Sequence, residues 1–331
     1  MITGKLPNDL LEDIVFKYIK HKEDNVVTGA SVGEDNALVD FGEEVAVLST
    51  DPITGAISDI GRLAIEISVN DVSTSGGEAI GVLITILAPK GTTLQQIEHI
   101  MEEAGETAEI LDVEIMGGHT EITDAVNKVV ISTTVLGKVK KENMLKRENV
   151  EVGDKVLVTK SVGIEGTSIL LNDYESFFKG KIGKDLIEEG KKYGEMISVK
   201  KEGLLGGQYQ VHYMHDITEG GLLGAVWEAH KALDKGIKIY NKDIPVEKVT
   251  KEISNLLEIN PFRLISSGSM LIIGDEKTIK ALKEKLKLEN INSSIIGEVI
   301  EEEALIDIDG KSEVIKPPKG DELYRAIAKL K

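Results

Sequence analysis

No cysteine occurs among the 331 residues, and this absence limits what the chain can fold into more than any motif it carries. Disulfide scaffolds, Cys-ligated zinc modules, iron–sulfur clusters and thiol nucleophiles are all excluded within this polypeptide. Buried apolar surface must therefore hold the fold together. At 41% apolar residues the chain is long enough for two packed cores, because single cores stop growing at roughly 250–300 residues. Two domains are expected.

Charge narrows the partners. Lys plus Arg number 39 against 57 Asp plus Glu, a formal charge of -18, which disfavours sequence-independent attraction to nucleic acid or an anionic membrane. A nucleotide can still bind if metal ions or backbone N–H groups answer the acidic surroundings locally. The start, Met1-Ile2-Thr3-Gly4-Lys5-Leu6-Pro7, has no apolar signal core. No later stretch approaches the roughly 18 uncharged apolar residues of a membrane span, so a cytoplasmic protein is expected.

Apolar spacing then orders the elements. Leu10, Leu11, Ile14, Val15 and Tyr18 predict a first helix, capped by Asn8 or Asp9, ahead of a loop at 29–33. Runs at 37–41 and 45–50, separated by Gly42-Glu43-Glu44, read as a hairpin. Helical spacing returns at 59–73, followed by an apolar strand at 80–88, an amphipathic helix at 93–111 and a strand at 126–139. Strands are adjacent too often for pure βαβ winding, which predicts a mixed α/β (α+β) fold. The polar stretch 140–150 reads as a linker and divides the chain into domains at 1–145 and 151–331. Beyond it come a strand at 155–160, helical segments up to 205, a helix at 221–233, strands at 270–273, 294–299 and 304–309, and a closing helix at 321–330.

Four features place acids where coil meets regular structure. Gly33-Glu34-Asp35-Asn36-Ala37 runs straight into a strand, and in Ser49-Thr50-Asp51-Pro52 a strand ends in an acid that proline follows. Asn70-Asp71 sits near the end of an apolar helix, and His215-Asp216-Ile217-Thr218-Glu219-Gly220-Gly221 leads into another that Thr218 is placed to cap. Taken singly, such an Asp is more often a turn former or cap than a ligand. The combination is what suits Mg²⁺, which takes octahedral oxygen ligands and bridges one or two carboxylates to phosphate.

Glycine turns add a weaker signal. Gly117-Gly118-His119-Thr120-Glu121, after a short strand at 114–116, reads as a turn whose N–H groups can approach a phosphate, although most such turns are only turns. Ser266-Ser267-Gly268-Ser269 and the stretch from Ser161 to Thr167 share that ambiguity. No Gly-Lys pair has a glycine five positions before its own glycine, so a Walker A loop is absent, and Gly-x-Gly-x-x-Gly does not occur. His212 and His215 are close in sequence, but no further cluster supports zinc.

Read in order, these pieces, together with Gly4-Lys5-Leu6-Pro7 and the extension of the second acid motif through Ile53-Thr54-Gly55-Ala56, resemble one family over the whole chain. It is the aminoimidazole ribonucleotide (AIR) synthetase superfamily, and the likeness is greatest to its HypE-like hydrogenase-maturation branch. The collinear set is specific, whereas any one element is not. The resemblance implies an AIR synthetase-like two-domain fold, with an N-terminal domain forming a β-barrel shared across a homodimer and a C-terminal α/β sandwich domain. It implies ATP beside the dimer interface and Mg²⁺ held by Asp35, Asp51, Asp71 and Asp216, with Asp71 and Asp216 as the catalytic pair. Asn70, Gly117, Gly118, His119 and Thr120 match nucleotide-contacting positions. Three departures stand out. His119 replaces an acid of several relatives, Asn36 replaces a residue that is often acidic or small, and the terminal cysteine that carries the carbamoyl chemistry of HypE is missing.

Three functions follow as expectations. The first is an ATP-dependent enzyme that phosphorylates an amide- or carboxylate-like oxygen of an unknown acceptor. The second is a non-catalytic nucleotide-binding scaffold in metalloenzyme maturation. The third is a small-molecule kinase or synthetase of thiamine or purine type.

Overall fold

The computed structural model describes residues 8–31, 34–54 and 59–330. Gly4-Lys5-Leu6-Pro7, Gly33, Gly55 and Ala56 of the motifs above lie outside the described residues. After the short helix α1 (Asn8–Ile14), the first sheet is built from β1 (Val26–Thr28), β2 (Ala37–Asp40), β3 (Glu44–Ile53), β4 (Glu78–Pro89), β5 (Glu114–Thr123) and β6 (Val130–Lys140). Its strand order is β1-β2-β3-β6-β4-β5. Two helices, α2 (Ile60–Thr74) and α3 (Leu94–Ile110), cover one face. Only β4 and β5 run parallel, because α3 carries the chain back between them, as parallel pairing requires.

Alternation decides which residues meet the helices. Val82, Ile84, Ile86 and Ala88 of β4 are buried against α2 and α3, and Val45 and Val47 of β3 join them. Helix α3 opens with a capping box between Thr93 and Gln96 and buries Ile100, Ala104 and Ala108 along one stripe. Helix α2 is buried nearly all round, since it packs on β3, β6 and β4 on one side and on the second half of the chain on the other.

The second sheet holds β7 (Lys155–Thr159), β8 (Tyr213–Asp216), β9 (Gly236–Tyr240), β10 (Met270–Gly274), β11 (Ser293–Ile300), β12 (Ala304–Ile308) and β13 (Lys311–Val314), ordered β13-β12-β9-β11-β7-β10-β8. Between them run α4 (Ile164–Asp173), α5 (Glu175–Phe178), α6 (Lys184–Lys191), α7 (Lys200–Gln208), α8 (Gly221–Leu233), α9 (Lys248–Leu256) and α10 (Glu276–Leu288), and α11 (Glu322–Leu330) closes the chain. Strand β8 is an edge strand, yet all four of its residues are buried, because α2 and α8 pack against it. Helix α7 reaches α2 through Gly203, where any Cβ would overlap the Ser73 carbonyl.

The mixed α/β class agrees with the sequence, and three local expectations do not. Pro52 does not stop β3, which pairs with β6 as far as Ile53; β2 ends its pairing with β3 at Leu48, so on that side Pro52 has no ladder hydrogen bond to lose. Gly117-Gly118 is not a turn but the middle of β5, next to a bulge opposite Val82 and Leu83. Thr218 does not cap α8; the cap position is Gly220, whose N–H donates to the Asp321 carboxylate at 2.7 Å.

Candidate active site

The four acids arrive from separate elements. Asp51 lies in β3, Asp71 is buried in the last turns of α2, Asp35 precedes β2, and Asp216 ends β8. Burial, followed by the negative charges of Asp216, Asp51 and Asp35, pushes the Asp71 carboxyl well above the usual carboxylate range. These charges, with ligand atoms of Asp35 and Asp216 within 4.8 Å of each other, gather the four acids into one cluster. Ser49 supports it by donating to Asp71 Oδ2 at 2.6 Å, from the same face of β3 as Asp51.

His215 enters the same cluster. Its Nδ1 is hydrogen-bonded to Asp35 Oδ2 at 2.7 Å and its Nε2 to Glu228 Oε2 of α8 at 3.1 Å. Ligand atoms of Asp35, His215 and Asp216 lie within 4.8 Å of one another. Burial alone would lower the imidazole pKa, but Asp35 and Glu228 on either side hold it well above the ordinary value. Neither Ser49 nor His215 was assigned this part by the sequence, and Glu228 carried no local signal at all.

The donor set fits a divalent cation. Oxygen ligands of one charge converge from both sheets, and a hard cation would offset the repulsion that now burdens Asp71. Asn36 adds a second sign. Its Nδ2 donates to the Asp71 carbonyl at 2.6 Å and to Thr74 Oγ1 at 2.9 Å, which fixes the amide orientation, and its Oδ1 is then buried without a hydrogen-bond partner.

The expected nucleotide contacts divide. Asn70 is turned away from the acids and bridges the halves, its Nδ2 donating to the Ile197 carbonyl and its Oδ1 accepting from Val199 N–H, each at 2.8 Å. In this structure the Asn70 side chain serves as an interdomain tie. Strand alternation splits the 117–120 stretch as well. Asp51, Thr133, Ile84 and Gly118 form one row across β3, β6, β4 and β5, and Thr133 bonds Ser68 of α2, so Gly118 and Thr120 share the acid-bearing face. Three strand spacings separate Asp51 from Gly118, on the order of 14 Å. Gly117 and His119 lie on the opposite face, where His119 is exposed and meets Glu121 at 3.4 Å.

The other sequence candidates are structural. Ser266 Oγ accepts from Gly163 N–H at 2.8 Å and Ser269 Oγ donates to the Ser161 carbonyl at 2.8 Å, so the two glycine segments bind each other. His212 pairs with Asp154 at 2.8 Å, apart from the carboxylates that engage His215. Gly29-Ala30-Ser31-Val32-Gly33 spells a hydrolase elbow, but Ser31 is exposed between two strands and not at a strand-to-helix turn.

Comparison with known proteins places these features in context. The model of the AIR synthase related protein N-terminal domain matches residues 33–139, and that of the C-terminal domain matches 151–309. A putative hydrogenase expression/formation protein of Methanocaldococcus jannaschii is 27% identical over 331 residues, 97% of this chain and 96% of that protein. Among solved structures, AaThiL complexed with AMPPCP and TMP superposes with a TM-score of 0.75 at 19% identity, covering 97% of this chain and 99% of that one. The hydrogenase maturation protein HypE in complex with ATP gives 0.69 at 20% identity, covering 98% and 97%.

Proposed function

The chain belongs to the AIR synthase related protein family, and from that premise we propose that it is a cytoplasmic, homodimeric, Mg-ATP-dependent enzyme that phosphorylates an amide- or carboxylate-like oxygen. The observation that carries this reading is the convergence of Asp35, Asp51 and Asp216 on the buried Asp71. Similarity to structures that hold ATP or AMPPCP supports the nucleotide.

Asp35, Asp51, Asp71 and Asp216 would hold Mg²⁺, which when bound supplies neutralising charge to the triphosphate. The protein's own part is positioning. Ser49 fixes Asp71, Asn36 fixes the segment carrying Asp35, and Gly118 and Thr120 offer the strand β5 to the nucleotide from the acid-bearing face. The acceptor oxygen attacks the γ-phosphorus as the bond to the β–γ bridging oxygen breaks and ADP leaves, a transfer that needs orientation and charge stabilisation more than covalent help. Without cysteine, the carbamoyl chemistry of HypE cannot run on this polypeptide, so the acceptor is a separate molecule. Residues 1–145 act in this reading as the nucleotide-binding and dimerisation domain, and 151–331 as the second domain that closes the site with Asp216.

The same missing cysteine, and the exposed His119 at a position where the resemblance implies an acid in several relatives, favour a second reading as a nucleotide-binding maturation scaffold. Calorimetry with Mg-ATP, followed by nucleotide analysis after incubation with amide and carboxylate acceptors, separates them. Binding with acceptor-dependent ADP release supports the enzyme, binding without turnover the scaffold, and no binding at millimolar ATP sinks both.

A further inference from the structure

Resting on the reading of the acids as a cation and nucleotide site, we propose that His215 and Glu228 are positioning residues that hold Asp35 in place from the other half of the chain. The hydrogen-bonded series Glu228, His215, Asp35 runs from a buried helix to the irregular segment before β2. The site is thereby complete only when the halves are docked.

Geometry gives the imidazole work other than direct ligation. One of its nitrogens lies within 4.8 Å of ligand atoms of Asp35 and Asp216, which would suit a metal ligand. Both ring nitrogens, however, already have carboxylate partners, at 2.7 Å to Asp35 and 3.1 Å to Glu228. A cation held by the ring would have to displace one of these partners. Asp35 bonds His215 through Oδ2, the kind of contact by which an outer partner orients a carboxylate that would hold a metal.

The parts are unequal in rigidity, and that gives the series its direction. Asp35 sits in no helix or strand, whereas His215 lies in β8 opposite Leu271 of β10 and Glu228 lies in α8, both buried. Tyr213 stands beside the imidazole, with ring centroids 6.3 Å apart. The rigid second half thus sets where the Asp35 carboxylate points.

Mn²⁺ titration by electron paramagnetic resonance, on the full chain with AMPPCP, tests this. His215→Gln is expected to weaken Mn²⁺ binding by roughly 10–100-fold, the usual cost of losing an outer partner. Glu228→Gln should weaken it less, and His215→Gln combined with Asp35→Asn should bind no worse than Asp35→Asn alone. Folding of each variant is checked by circular dichroism, and Glu228→Gln decides if His215→Gln does not fold. Unchanged Mn²⁺ affinity in the folded variants, or imidazole nitrogen hyperfine coupling in the wild type, overturns the proposal. No Mn²⁺ binding by the wild type overturns the cation site itself and the proposal with it.

Discussion

Asp71 concentrates the tension of the site in one carboxyl. It is buried, it faces three other acids, and the Ser49 hydroxyl is what relieves it. Asp71→Asn keeps the shape and an oxygen acceptor for Ser49 while removing a charge. The cation-free protein should therefore melt ~2–4 °C higher, the shift expected for about 1 kcal/mol, and Mn²⁺ with AMPPCP should bind at least roughly 10-fold more weakly. Calorimetry of both forms checks this, and a variant that is both less stable and equally good at binding would remove Asp71 from the site. At this scale the sequence was legible where the signal was local. Asp35, Asp51 and Asp71 each sit beside asparagine or proline, and Asp216 opens a segment that ends in Gly220-Gly221. Glu228 does not, and its contact with His215 exists only because α8 packs on β8. Asn70 carries a part that its motif does not spell out, since its neighbour Asp71 faces the acids while the Asn70 side chain bonds Ile197 and Val199.

Helix α2 carries the largest share of the argument among the elements, because its two sides serve the two sheets. Glu66, one turn after Arg62, accepts from the guanidinium at 2.6 Å, and Arg62 also donates to the Gly194 carbonyl at 2.6 Å. Burial pushes the Glu66 carboxyl up to about 7, against the opposing pull of Arg62. A folded-state pKa above the unfolded one contributes stability that is fully present below the unfolded value of 4.5 and lost as pH rises through about 7. Glu66→Gln removes that titration and leaves an oxygen for Arg62. Its stability relative to the wild type should rise by roughly 1–3 kcal/mol between about pH 5 and pH 8, measured by urea unfolding; a constant difference would show that Glu66 does not titrate in that range. Elements were legible when their own periodicity was strong, as for α2, α3, β4 and α8. Strand β5 was read as a turn because its glycines are turn residues in isolation; their reason is packing, since a Cβ on Gly118 would overlap the Ile84 carbonyl oxygen. Strand β13 has no apolar alternation to read, all four of its residues being exposed.

For the whole molecule, the deciding feature is the face of the first sheet that α2 and α3 leave open. Strand β4 alternates strictly enough that Leu83, Thr85 and Leu87 must point away from the helices that bury Val82, Ile84 and Ile86, and Leu83 is 45% exposed. Leu48 of β3 and Leu136 of β6 lie on the same side by register, each only half-buried. A half-exposed patch of leucines on three strands is better suited to a second copy of the chain than to water. The net charge of -18 works against that association at long range, so the dimer should tighten as salt screens the repulsion. Leu83→Arg places a charge within the patch without touching the buried face. Light scattering should give twice the 36.0 kDa chain mass for the wild type and a single chain mass for Leu83→Arg. Unchanged melting of the variant's second half would show that only the interface was lost, while a Leu83→Arg dimer of undiminished affinity would move the interface elsewhere on the surface. The first outcome would also give the parallel edge strand β5 its reason: its Gly117 and His119 would then stand at the rim of the interface, on the opposite face from Gly118 and Thr120.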